Sequence, residues 1–76
     1  MFNLYQYHES GYIGVTTRKD IGFGECDEFG NVDKYWNKTI KNNAKVGLDP
    51  DVQNKWKGEI VEHQGMIFGI LKINET

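Results

Sequence analysis

The run Asn31-Val32-Asp33-Lys34-Tyr35-Trp36-Asn37-Lys38-Thr39-Ile40-Lys41-Asn42-Asn43-Ala44-Lys45-Val46 decides how this chain is to be read, because the segments on either side of it have the composition of strands. Within it Val32, Tyr35, Trp36, Thr39, Ile40 and Asn43 recur at steps of three and four, the spacing that gathers side chains on one face of an α-helix. Asn31 suits an N-cap, Asp33 suits the positive end of the helix dipole, and Gly47 supplies a left-handed stop. The pattern predicts a helix from Asn31 to Val46 with Trp36 and Ile40 on its buried face. A rival reading makes Asp27-Glu28-Phe29-Gly30-Asn31 a hairpin turn, with Val32 to Trp36 returning as a strand. The helix is the reading adopted.

Upstream, Phe2 to Tyr7 and Tyr12 to Thr17 are rich in aromatic and β-branched residues, and His8-Glu9-Ser10-Gly11 between them has turn chemistry, so an N-terminal hairpin is expected. Ile21 to Glu25 adds a short strand in which Gly22 and Gly24 mark a bend or a close backbone approach. Downstream, Asp49 as cap, Pro50 at the first helical position and Asp51 in the first turn predict a short second helix that ends before Gly58, with Val52 and Trp56 as its packing edge. Glu59 to Gln64 and Met66 to Ile73 return to strand composition around Gly65. The last run is apolar on both faces apart from Lys72, as in a central strand packed on one side by helix. The sum is an α+β domain: a small antiparallel sheet made of an N-terminal and a C-terminal hairpin, packed against one or two central helices.

At 76 residues the chain makes a single domain, residues 1–76, and its one cysteine, Cys26, excludes an intrachain disulfide. A domain of this size buries only about 60% of its unfolded surface, so packing must supply the stability. With 38% hydrophobic and 13% aromatic residues, the composition is that of a folded chain. No basic leader precedes an apolar stretch and no run approaches a membrane span, so a cytoplasmic protein without membrane contact is expected. The sequons at Asn37-Lys38-Thr39 and Asn74-Glu75-Thr76 then carry no weight.

Four chemistries are weighed and set aside. Gly22-Phe23-Gly24 opens like a phosphate loop, but Asp27 stands where the third glycine of a dinucleotide fingerprint belongs, and its carboxylate repels pyrophosphate. Asp27, Gly30, Asn31 and Asp33 have the composition of a calcium loop, yet Phe29 occupies a ligand position and Lys38 the place of the bidentate Glu. One thiol and two histidines are too few for a structural zinc site without a carboxylate. Cys26 with His8 or His63 is a conceivable thiolate–imidazole pair with nothing in the local sequence to support it. No cofactor, metal or catalytic residue is expected.

Charge is segregated along the chain although the net charge is only -2. Asp20, Glu25, Asp27, Glu28 and Asp33 form an acidic stretch, and Lys34, Lys38, Lys41 and Lys45 would form a stripe along one face of the expected helix. Tyr5, Tyr7 and Tyr12 on the first hairpin make a third contact surface. These features point to a non-enzymatic protein-binding module. Such a chain acts like a small accessory or inhibitor protein of a phage or other mobile element, occluding a surface of a larger partner. The alternative is a weak nucleic-acid binder whose lysine stripe contacts phosphates without reading sequence. Two tryptophans on so small a domain also make a homodimer conceivable.

Overall fold

The structure is a computed structural model, and it describes residues 1–6, 11–33 and 40–74. Seven strands run in chain order: β1 (Phe2–Gln6), β2 (Ile13–Thr16), β3 (Gly24–Cys26), β4 (Asn31–Asp33), β5 (Ala44–Leu48), β6 (Ile60–His63) and β7 (Met66–Asn74). One helical turn, α1 (Pro50–Gln53), separates β5 from β6.

The strands form because apolar residues alternate with polar or small ones, which puts one set of side chains on one face of a pleated ribbon. In β1, Phe2 and Leu4 are buried while Asn3 and Tyr5 are half-buried on the other face. In β5, Val46 and Leu48 are buried while Lys45 is exposed and Gly47 half-buried. These inward residues, with Val15, Cys26, Val32 and Leu71, make one core cluster.

The ribbon closes on itself. β1 pairs antiparallel with β2 and with β3, and β3 pairs antiparallel with β4. Two parallel joints complete the circuit: β2 with β5, at Gly14 opposite Gly47, and β4 with β7, at Val32 opposite Ile73. β5 then pairs antiparallel with β7. The result is a closed six-stranded barrel of β4-β3-β1-β2-β5-β7, to which β6 is added as a hairpin partner of β7. Closure removes the sheet edges that an open sheet would leave unpaired.

The expected α+β fold is therefore corrected: 52% of the described residues are strand and 6% helix, and no central helix covers a sheet among them. The helix expected from Asn31 to Val46 begins in β4 and ends in β5, while Lys34 to Thr39 lie outside the described residues. Two local signals ran against the helical spacing. Val32 is buried between half-buried Asn31 and exposed Asp33, a period of two. Asn42 and Asn43 form a turn in which Asn43 has a φ of 62°, a left-handed value that Asn tolerates and a helix interior excludes. The rival reading has the turn right, since Cys26 faces Val32 across it; its returning strand is β4 at Asn31–Asp33, and Lys34 to Trp36 lie outside the described residues. The N-terminal hairpin and the C-terminal hairpin form as expected. β7 is central, but barrel strands flank it, with β5 on one edge and β4 and β6 on the other.

The short helix starts at Pro50 as expected but covers only Pro50–Gln53, so Trp56 lies beyond it, and Asp49 does not cap it with its side chain. The Asp49 Oδ1 instead accepts a hydrogen bond from the Tyr5 hydroxyl at 2.7 Å. Val52 is fully buried and Trp56 nearly so, as their spacing implied. The Trp56 ring stacks on Phe2 with centroids 6.2 Å apart, and its Nε1 donates to the Glu59 carbonyl at 3.2 Å.

Candidate functional site

An open groove of about 870 Å³ lies where β2 begins, β5 ends in α1 and the β6–β7 hairpin projects. Four elements build it. Tyr12 and Ile13 lead into β2, Lys45 and Gly47 lie on β5, and His63 to Phe68 run through the hairpin tip. Pro50 and Gln53 of α1 complete its wall. The hairpin turn is a two-residue loop, Gln64-Gly65, with φ values of 52° and 77°, the twist that matches antiparallel strands.

Strand register places groove residues on one face of the sheet. Gly47 lies opposite Phe68 and Phe68 opposite Val61, so a row crosses β5, β7 and β6; Lys45 lies opposite Ile70, and His63 opposite Met66. Two large apolar residues of the groove are well exposed, Tyr12 at 60% and Met66 at 53%. Neither Met66 nor Phe68 is singled out by the sequence, because a strand that is apolar on both faces reads as interior. The available signal was the neighbouring Gln64-Gly65 turn, which puts Met66 at a hairpin tip and so at the surface.

The acidic stretch does not gather into one patch. Asp27 is consumed by its own turn: Oδ1 accepts from the Phe29 and Asn31 backbone N–H groups, each at 2.9 Å, and Oδ2 from Asn31 Nδ2 at 3.1 Å. This geometry explains the calcium-like composition without a cation. Glu28 pairs with Lys57 at 3.6 Å, and its carbonyl accepts from the Lys57 backbone N–H at 2.7 Å. Asp20 forms a two-pronged pair with Arg18, and that hydrogen bonding holds its carboxyl below the ordinary value. Glu25 on β3 and Asp33 on β4 are exposed.

The lysines separate as well. Lys45 projects from β5 into the groove, Lys41 is exposed just before the Asn42-Asn43 turn, and Lys34 and Lys38 lie outside the described residues. Lys41 and Lys45 therefore share no helical face, since Lys45 is on a strand and Lys41 precedes a turn. Of the tyrosines, Tyr12 frames the groove, Tyr5 packs over Gly14 and bonds to Asp49, and Tyr7 lies outside the described residues.

Cys26 sits in the core at 1% exposure, where burial pushes its thiol up to about 12. A nucleophile needs the opposite, a depressed pKa and access to solvent. His63 is exposed at the hairpin tip, and His8 lies outside the described residues. Among the described residues no three of His, Cys, Asp and Glu converge as a metal site would require, and no helix is long and apolar enough to cross a membrane. Gly22-Phe23-Gly24 is a close approach to β1, with the Phe23 N–H donating to the Leu4 carbonyl at 2.8 Å. No protein-family model, curated protein or solved structure matches the chain.

Proposed function

We propose that the chain is a non-enzymatic protein-binding module that occludes a surface of a larger partner, and that the groove framed by Tyr12 and Met66 is where it grips. One observation carries the reading: two large apolar side chains stand exposed beside a groove that also presents Lys45 and His63. Exposed apolar residues grouped beside a concavity mark contact surfaces, because water otherwise covers them at a cost. Tyr and Met are favoured in such places, Tyr for its apolar ring with a polar tip and Met for its adaptable thioether. Lys45 orients an acidic rim of the partner, and the apolar residues supply affinity. An inhibitor or accessory role fits a module with one gripping surface and its only thiol buried.

Site-specific photo-crosslinking tests this. A photoreactive residue placed at Tyr12 or at Met66 is expected to give a covalent adduct with the same protein from a host lysate, and one at exposed Lys19, away from the groove, is expected to give none. Adducts that form equally from all three positions, or from Lys19 alone, defeat the reading. The adduct is also expected to disappear in Phe68→Asp, which puts a charge beneath the groove.

A further inference from the structure

We infer that this chain pairs with a second copy of itself along the outer edge of β6, antiparallel and with the two-fold axis at Val61. The inference concerns a strand edge rather than the groove and does not depend on the partner reading.

β6 is the terminal strand of the sheet and has no neighbour on its outer edge among the described residues. Which of its backbone groups point outward follows from the hairpin. The Ile70 N–H donates to the Glu59 carbonyl at 3.0 Å, so Glu59, Val61 and His63 face β7 with their N–H and C=O groups. Ile60 and Glu62 therefore direct theirs outward, into solvent. Ile60 is also 46% exposed, which leaves a short apolar edge of the kind that natural sheets otherwise protect.

The occupant follows from the register those groups allow. Antiparallel pairing of two identical strands must match outward-facing residues with each other. Three matches are available: Ile60 with Ile60, Glu62 with Glu62, or Ile60 with Glu62. Glu62 opposite its own copy sets like charges face to face, which is unfavourable. Ile60 opposite its own copy engages one outward residue centrally and leaves Glu62 opposite Gly58. Ile60 opposite Glu62 of the second copy uses both outward residues, each pair exchanging N–H···O bonds in both directions.

That register also places His63 opposite Glu59 of the second copy, twice by symmetry. An imidazole N–H donates to a carboxylate whether or not the ring is charged. It further sets Val61 against Val61 and so joins the apolar row Gly47–Phe68–Val61 to its symmetry mate, forming one strip across the dimer. Such an interface is isologous and closes as a dimer, because each copy has one such edge.

Three substitutions test the edge. Glu62→Pro removes an outward N–H that β7 does not use, so the hairpin persists while pairing is blocked. Sedimentation across a dilution series is expected to show a reversible dimer in the native chain, weakened about tenfold or more in Glu62→Pro with an unchanged circular dichroism spectrum. Val61→Cys is expected to form an intermolecular disulfide under mild oxidation and Ile60→Cys is not, because only Val61 meets itself. Cys26 does not compete, being 1% exposed. A native chain that remains monomeric at its highest soluble concentration overturns the inference, as does equal cross-linking at Val61→Cys and Ile60→Cys. If the monomer's captured partner is then lost in Glu62→Pro, the edge belongs to a strand of that partner instead.

Discussion

Gly69 lies on β7 where the Trp56 indole crosses the strand, and a methyl group there would fall 2.7 Å from Trp56 Cε2 and 3.0 Å from Leu48 Cδ2. Both neighbours are buried, so neither can swing away cheaply. Gly69→Ala is therefore expected to destabilise the fold by about 1–3 kcal/mol, read as a lower urea midpoint at unchanged slope. Gly14 has the same role for Tyr5, whose ring lies where a Cβ would be, at 2.5 Å from Cζ. Cys26 makes a second prediction. Burial, with a smaller contribution from Asp27, raises its thiol from near 9 to about 12. A raised acid pKa means that the folded state holds the proton more tightly. Its contribution to stability is full below pH 9 and is lost between pH 9 and 12. Unfolding midpoints of the native chain should fall over that window more steeply than those of Cys26→Ala, and equal slopes would disprove the buried-thiol account. What the sequence shows at this scale is the identity of buried residues such as Leu4, Val15 and Trp56. It does not show which glycine meets which ring.

The β6–β7 hairpin is the element whose form was most legible, since Gly65 between two strand-like runs is a turn signal in itself. Gln64 is the unusual choice in that turn: its φ of 52° is left-handed, a region that costs an ordinary side chain roughly 1–2 kcal/mol and Asn less. Gln64→Asn is expected to stabilise the protein by about 0.5 kcal/mol, visible as a higher melting temperature, and a lower one would contradict this turn geometry. The segment around Trp36 and Ile40 is the converse case. Its spacing fits a helix, but β4 and β5 at its ends draw their stability from partners far away in sequence. Val32 and Val46 are each paired across the barrel, with Ile73 and Gly69 respectively. Side-chain periodicity counts local neighbours only, and tertiary pairing overrode it.

At the scale of the whole molecule, the barrel depends on two parallel joints. β2 meets β5 and β4 meets β7 only after long intervening segments have folded back, as parallel neighbours always require. Most contacts of this architecture are therefore non-local, and loop closure must precede the interactions that offset it. Refolding followed by tryptophan fluorescence should fall in the milliseconds-to-seconds range of barrel proteins, and microsecond refolding would be incompatible with this topology. The same closure decides where a site can lie. With six strands joined into a ring, the groove beside the hairpin and the outer edge of β6 are two features that stay open among the described residues. The edge belongs to the one strand outside the ring, whereas the groove is lined by β2, β5, α1 and β7 together with His63 of β6.

By itself the sequence determined both hairpins, the helical turn at Pro50 and the burial of Val52 and Trp56, because turn residues and a two- or four-residue spacing are local properties. Only the tertiary structure decided that β4 and β5 take the two ends of the expected helix, that the sheet closes, and that Tyr12 and Met66 share a groove. Those outcomes rest on hydrogen bonds between residues such as Gly30 and Lys72, or Val15 and Asp49, whose pairing no local pattern encodes. A chain can satisfy its backbone groups by either route, and the better-buried alternative is known only when the whole ring is assembled.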